Sequence, residues 1–166
     1  MDREQLRAVQ RPLKERYNTD PDAAFITLHA EGSLSDSDVA CSVETGRAMV
    51  EAGLHPATGG DGTLSCSGDM LLQALVACAG VTLRSVATNR GLAVTGTVRA
   101  DGDLDFRGTL GTDRDAPVGF RSIRLTFDLH SDASAEDLAS LIQTTERYCV
   151  VFQTLARAPE LSVRLT

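Results

Sequence analysis

The sequence feature that most restricts the fold is the nearly uncharged run from Asp69 to Arg90, DMLLQALVACAGVTLRSVATNR. It has no proline and a single internal glycine, so it predicts one long helix. Ser67 stands where it can cap the first turn, Asp69 suits the positive end of the helix dipole, and Gly91 is a typical stop signal. Because the run is apolar on nearly every face, we expect the helix to be buried nearly all round.

Length, charge and composition exclude several classes of protein. The chain has 166 residues, enough for one domain with a sizeable core. Its net charge of −7 argues against a nucleic-acid partner and against an anionic membrane surface. Polar residues such as Gln73 and Arg84 interrupt the central run too often for a membrane span. The charged N-terminus lacks a signal-peptide pattern, and this predicts a cytoplasmic protein.

Shorter patterns around the central helix predict an α+β fold with antiparallel sheet. Residues 2–17 predict an amphipathic helix that Pro12 should kink or restart. A capped helix is expected after Ser134, and a last helix near Cys149. Asp101-Gly102 is predicted as a two-residue hairpin turn. Alternating apolar residues predict strands at 24–30, 39–44, 93–100, 103–108, 120–130 and 161–165.

The four cysteines do not form a metal or disulfide pattern. In a reducing compartment a structural disulfide framework is not expected. There is no C-x-x-C pair and the histidines are scattered, so no metal is predicted. Cys41 falls on the apolar side of a strand and is expected to be a small core residue. Cys66 precedes the central helix, where a thiolate is favoured, and is either a redox thiol or a loop cysteine without a role.

The other two thiols have different helical positions. Cys149 is expected near the start of a helix, where N–H dipoles stabilise a thiolate. Cys78 lies in the middle of the central helix, where burial raises a thiol pKa unless a tertiary contact brings in a cation. From the residues alone, an inert packed thiol remains the simpler interpretation for each.

Two segments resemble the cysteine motifs of the OsmC/Ohr family. SGDMLLQALVACAGVTL is similar to its first-cysteine helix, and ERYCVVFQTL is similar to its second motif. The resemblance implies a peroxidatic Cys78, a resolving Cys149 and a supporting acid at Asp69. It covers residues 23–166 of a single domain, 1–166, and leaves residues 1–22 as an N-terminal helical extension. It also implies a two-layer fold, with antiparallel sheets on long central helices, that intertwines as a homodimer with active sites at the interface.

The activity implied by the resemblance is thiol-dependent reduction of organic hydroperoxides. The Cys78 thiolate attacks the peroxide, its sulfenic acid condenses with Cys149, and a thiol or dithiol reductant resets the disulfide. No cofactor, nucleic acid or membrane is needed. Asp69 lies about 13 Å along the helix axis from Cys78, so it would act from a partner chain or serve only as a helix-start acid.

The chain departs from the family pattern in ways that favour a second interpretation. The early strand segment GSLSDSDVACS lacks the arginine that the peroxidases carry there, and Arg47 is the nearest candidate. Val150 follows the second cysteine where a proline is usual. These differences indicate the broader OsmC-like branch. The alternative is therefore a non-enzymatic dimer that binds an apolar small molecule at the subunit interface.

Overall fold

One antiparallel sheet and a layer of helices form the fold. The computed structural model describes residues 3–34, 41–43 and 52–165. The helices are α1 (Arg3–Thr19), α2 (Ser67–Arg90), α3 (Phe106–Leu110), α4 (Ala135–Tyr148) and α5 (Val150–Ala156). The strands are β1 (Phe25–Leu34), β2 (Cys41–Val43), β3 (Ala52–Gly53), β4 (Ser65–Cys66), β5 (Thr95–Asp105) and β6 (Ser122–His130). The predicted α+β class with antiparallel sheet is thus confirmed.

The main sheet has the strand order β2-β1-β5-β6, and all of its pairs are antiparallel. β6 alternates as predicted: its odd-numbered side chains are half-buried and its even-numbered ones are exposed. β3 and β4 form a separate two-stranded parallel pair just before α2. The sheet therefore offers one face to the helices and one to solvent.

α2 is the core element, as the sequence predicts. It packs against β1, β5, α4 and α5, and its fully covered side chains include Leu72, Leu75 and Leu83. Gly91 closes the helix in the left-handed conformation, with φ of 69°. The start differs from the prediction: Cys66 is the N-cap residue and Ser67 is already helical. By length and composition α2 resembles a membrane span, but in this fold it packs against the sheet and against α4 and α5.

The prediction that α2 is buried all round is wrong for a single chain. A stripe of exposed or half-buried residues runs along one side, at alternating spacings of four and three: Ser67, Leu71, Ala74, Cys78, Val81, Ser85 and Thr88. We call it the α2 stripe. Such spacing is that of a seam between two packed helices. The helix thus has a face that is not covered in one chain, apolar in its central part and polar at Ser67, Ser85 and Thr88.

The predicted hairpin at Asp101-Gly102 is also wrong. β5 continues through both residues, and residues 106–108 begin α3 instead of a return strand. Gly102 has a packing role, since a Cβ there would lie 2.4 Å from a ring carbon of Phe120. Glycine at this position thus allows the Phe120 ring to pack closely against the strand, and it does not indicate a turn.

The two ends of the chain differ from expectation. α1 runs through Pro12 as one helix, and the buried Tyr17 anchors it by donating a hydrogen bond to the carbonyl of Ala57 at 2.8 Å. Residues 161–165, predicted as a strand, have no regular secondary structure. The turn residues 35–38, the ends of the strand predicted at 39–44, and Arg47 lie outside the described residues.

Candidate active site

The structure brings Cys78 and Cys149 together. Cys78 lies at the middle of α2, and Cys149 is the N-cap residue of α5, which packs on α2. The two thiols are close enough for each to affect the pKa of the other. Cys149 is fully buried, whereas Cys78 is half-buried within the α2 stripe. Cys78 is therefore the member of the pair that can be approached from the surface.

Hydrogen bonds make Cys78 the more acidic thiol of the pair. Burial raises its pKa, but bonds to the thiolate outweigh burial and lower the pKa below its ordinary value. The donors, in order of effect, are the N–H of Val151, the S–H of Cys149, the N–H of Val150 and the O–H of Thr82. These groups are all uncharged. Backbone and side-chain donors thus perform the task that the sequence argument assigned to a cation.

Cys149 behaves in the opposite way, and this corrects the prediction that its helix-start position would favour its thiolate. Burial, first, and the hydrogen bond and charge of Cys78 raise the pKa of Cys149 to about 11. The N–H of Phe152 does contact its sulfur at 3.5 Å, but this contact is too weak to compensate for burial. The two thiols therefore differ in acidity: the pKa of Cys78 lies below its ordinary value and the pKa of Cys149 lies above it.

Sequence reasoning missed Thr82 and the two valine amides. Thr82 could have been found, because it follows Cys78 by four residues and shares its helix face. The amides of Val150 and Val151 could not, since nothing in the sequence specifies that the first turn of α5 points at a residue on α2. The structure places the two predicted cysteines on packed helices, and their catalytic roles stay a prediction; the groups that lower the pKa of Cys78 were not predicted.

An apolar cleft of about 520 Å³ is lined in part by α2 and α5, the two helices that position the thiol pair, and neither cysteine is among its lining residues. Its walls come from α2, α5, the start of β6 and the loop before β6, and Arg121 is the one charged residue that lines it. Leu75 is three positions before Cys78 on α2, and Phe152 contacts Cys149. The cleft is therefore large enough for a small apolar molecule and lies within about one helical turn of the sulfurs.

Asp69 is not near Cys78 within one chain. It lies in the first turn of α2, where its charge acts on His55. Burial lowers the pKa of His55 and the Asp69 carboxylate raises it, with burial the larger effect. His55 stacks on Phe106 at 5.0 Å between ring centroids. This arrangement fits the helix-start role, and action on a partner's thiol remains a prediction.

Cys66 lies far from the thiol pair. It is half-buried at the N-cap of α2 and packs against the hydrophobic core. Twelve residues of helix separate it from Cys78, about 18 Å along the axis. Neither it, Cys78 nor Cys149 is in a disulfide. Among residues 3–34, 41–43 and 52–165, no group of His, Cys, Asp and Glu has the arrangement of a metal site.

Comparisons with known proteins agree with this fold. The family model described as OsmC-like protein matches residues 60–164, more than half of the chain. A comparison with functionally curated proteins finds no match. One similar solved structure is an OsmC-like hydroperoxide resistance protein from Jannaschia sp. CCS1. The alignment has a TM-score of 0.57 and 17 % identity, and covers 86 % of this chain and 94 % of that one. The chain belongs to the OsmC-like protein family.

Proposed function

We propose that this protein is a thiol-dependent peroxidase that reduces organic hydroperoxides in the cytoplasm, as part of an antioxidant stress response. The observation that carries the proposal is the thiol pair of α2 and α5, in which the pKa of the half-buried Cys78 is lowered and the pKa of the buried Cys149 is raised. A nucleophile with a lowered pKa, in contact with a second thiol, is the arrangement that a two-cysteine peroxidase requires. The name of the Jannaschia protein agrees with this activity.

The reaction has two chemical steps and a reset. The Cys78 thiolate attacks the terminal oxygen of the hydroperoxide, the O–O bond breaks, and the alkoxide leaves and takes up a proton as the alcohol. Cys78 becomes a sulfenic acid, oxidised by two electrons, and has lost its negative charge. The Cys149 sulfur then attacks the Cys78 sulfur, a disulfide forms and water leaves. A thiol or dithiol reductant returns both sulfurs to the reduced state.

Loss of the negative charge of Cys78 on oxidation determines the order in which the two thiols react. While Cys78 is a thiolate, its charge and hydrogen bond help to keep the pKa of Cys149 near 11, so Cys149 does not compete for the peroxide. Oxidation of Cys78 removes both of these influences, and the pKa of Cys149 falls. The resolving thiol thus becomes more nucleophilic once there is a sulfenic acid to attack.

The cleft supports an apolar hydroperoxide as the substrate. Most of its lining is aliphatic or aromatic, and it includes Leu75, three positions before Cys78, and Phe152, three positions after Cys149. An apolar group of the substrate would lie in the cleft and direct its peroxide toward Cys78. This binding is largely hydrophobic and stabilises the complex by about 25 cal/mol for each Å² of apolar surface removed from water.

The proposal includes a homodimer in which the α2 stripes of two copies pack together. The stripe carries Leu71 and Val81, both exposed in one chain, at the spacing of a helix–helix seam. Cys78 is part of the stripe, so a second copy would enclose the site and could bring its own Asp69 nearer. Sedimentation analysis at micromolar concentration tests this directly, and a monomer would contradict it.

The experiment for the activity is peroxide titration with thiol counting and mass spectrometry. Organic hydroperoxide should consume two thiols per chain and link Cys78 to Cys149, and Cys78→Ser should abolish consumption. Cys66→Ser is the matched control and should react like the parent. If the parent chain with excess hydroperoxide keeps both thiols unlinked, and Cys78→Ser behaves like it, the peroxidase proposal fails.

A second function is favoured by the size of the cleft and by the fact that the described groups that shift the pKa of Cys78 carry no charge. In that case the protein is a non-enzymatic dimer that binds an apolar small molecule in the cleft. Binding of a hydrophobic fluorescent probe that is unchanged in Cys78→Ser, together with inert thiols in the parent, would select this function.

A further inference from the structure

The helix α5 is short, and its own packing holds it weakly. It has seven residues, Val150–Ala156, and none of them is fully buried. Val150 is 71 % exposed and Leu155 is 37 % exposed, while Val151 and Phe152 are half-buried against the hydrophobic core. A helix of this length is unstable by itself, because nucleation costs more free energy than so few internal hydrogen bonds supply. The position of α5 therefore depends strongly on the contacts at its first turn.

The first turn of α5 is directed at the two sulfurs of the thiol pair. The N–H groups of residues 150–152 precede the first intrahelical hydrogen bond, so they have no partner within the helix. The N–H of Phe152 contacts the Cys149 sulfur at 3.5 Å. The other two N–H groups act on the Cys78 sulfur and lower its pKa. The reduced thiol pair thus supplies acceptors for the start of α5.

The same helix is one wall of the apolar cleft. Phe152, Leu155 and Ala156 line the cleft from α5, and Leu71 and Leu75 line it from α2. The separation of these two helices therefore sets the width of the cleft. Because the sulfur contacts and the cleft wall lie within one two-turn helix, a change at the sulfurs is transmitted to the cleft.

We propose that disulfide formation between Cys78 and Cys149 loosens α5 and opens the cleft, so that the reduced protein holds an apolar molecule and the oxidised protein releases it. The oxidation is that of the proposed function, on which this inference rests. The two thiols lose two electrons and two protons, the S–S bond forms, and the hydroperoxide becomes alcohol and water. A neutral disulfide sulfur is a weaker acceptor than a thiolate. The S–S bond keeps Cys149 attached to α2, but the N–H groups that follow it lose their acceptors.

Redox state and binding in the cleft are then coupled in both directions. The reduced form binds an apolar hydroperoxide, and the disulfide form releases the alcohol that the reaction leaves in the cleft. Because linked equilibria are reciprocal, an apolar ligand that prefers the reduced form also favours reduction of the disulfide by the same factor. In the non-enzymatic alternative, the same coupling makes the cleft a binding site that empties on oxidation.

The first test is hydrogen–deuterium exchange with mass spectrometry on the reduced protein and on the protein oxidised with diamide. Diamide forms the disulfide without a peroxide, so the result does not depend on peroxidase activity. Loss of the sulfur acceptors should make the amides of residues 150–156 exchange about tenfold faster, while those of β5 are unchanged. Dithiothreitol should restore slow exchange, and Cys66→Ser, the matched control, should behave like the parent in both states.

The outcomes of this exchange experiment separate the two proposals. Equal exchange of α5 in the two redox states, or failure of diamide to form the disulfide, overturns the loosening of α5. If diamide links Cys78 to Cys149 and organic hydroperoxide does not, the peroxidase proposal alone fails.

The second test measures binding in the cleft. Decan-1-ol is titrated against bound Nile red, a neutral apolar dye, in both redox states, and its dissociation constant should be about tenfold larger for the disulfide form. Leu155→Ala should weaken binding to the reduced form several-fold and leave the disulfide form unchanged, because Leu155 lines the cleft only while α5 is in place. The proposal is overturned if the parent binds decan-1-ol equally in both states, if the reduced form does not bind it, or if Leu155→Ala has the same effect in both states.

Discussion

Removal of the Cys149 thiol should make Cys78 less reactive, even though Cys149 is not the attacking group. In the parent protein the Cys149 S–H donates to the Cys78 thiolate and lowers its pKa. Cys149→Ala deletes this donor and leaves the amides of Val150 and Val151 in place. The pKa of Cys78 therefore rises, and its reactivity profile moves to higher pH.

The size of the effect follows from the strength of the lost bond. A hydrogen bond to a charged group contributes about 1.5–3 kcal/mol, and a thiol is a weak donor, so the low end applies. About 1.4 kcal/mol corresponds to a tenfold change in the ratio of thiolate to thiol. At a pH below the pKa of Cys78, alkylation of Cys78 should be about tenfold slower in Cys149→Ala than in the parent.

The assay is the rate of iodoacetamide alkylation at each cysteine, followed by peptide mass spectrometry from about pH 4 to about pH 11. Cys78→Ser gives the reciprocal measurement, because loss of its charge and hydrogen bond should let the pKa of Cys149 fall below about 11. Cys66→Ala is the control and should leave both profiles unchanged. If the Cys78 profile is the same in Cys149→Ala and in the parent, the two thiols are not coupled and the reasoning is refuted.

Three further predictions test other parts of the structure. Thr82→Val should shift the alkylation profile of the active thiol to higher pH while Thr82→Ser preserves it, since serine keeps the hydroxyl donor. Gly102→Ala should push Phe120 into the cleft and so raise KM for bulky apolar hydroperoxides several-fold more than for hydrogen peroxide. Urea unfolding should show that the same change lowers the free energy of unfolding by about 1–3 kcal/mol. Asp105→Asn should lower the free energy of unfolding by about 3 kcal/mol, because the Asp105 carboxylate is 1 % exposed and pairs with the guanidinium of Arg107 at 2.6 Å. The hydrogen-bonded guanidinium of Arg107 lowers the pKa of Asp105. In the parent protein the contribution of this carboxylate to the free energy of unfolding is therefore complete above about pH 4 and is lost as the pH falls further. Urea unfolding at a series of pH values should show that this loss is missing in Asp105→Asn.

The fold could be predicted from the sequence wherever one local pattern was strong. The helix ending at Gly91, the alternating strand β6 and the cap at Ser134 are each encoded within a few residues, and the Ser134 hydroxyl accepts the N–H of Asp137 at 3.1 Å. The errors arose where tertiary packing outweighs local signals. Asp101-Gly102 has the composition of a turn, but a ring from a distant loop needs the space that only glycine leaves.

Of the candidate site, only the two cysteines could be proposed from the sequence. Motif spacing locates Cys78 and Cys149, but the charge state of each thiol depends on which donors reach it across the interface between α2 and α5. The helix-start argument assigned the thiolate to Cys149 because it considered only the residue's own helix. In the structure the Cys149 thiol is more deeply buried than the Cys78 thiol, so burial dominates and raises the pKa of Cys149. The amides of that same helix act on Cys78 instead.

Uncharged donors at Cys78 have a consequence that a guanidinium would not have. An arginine beside a thiolate keeps its positive charge after the thiolate is oxidised, and the site is then left with an uncompensated cation that must be solvated or paired. The amide, hydroxyl and thiol donors that the structure describes at Cys78 carry no net charge, so in the proposed reaction none of these donors becomes an uncompensated cation when the sulfur is oxidised. Their contribution to the desolvation cost of an apolar enclosure around the sulfur is correspondingly small.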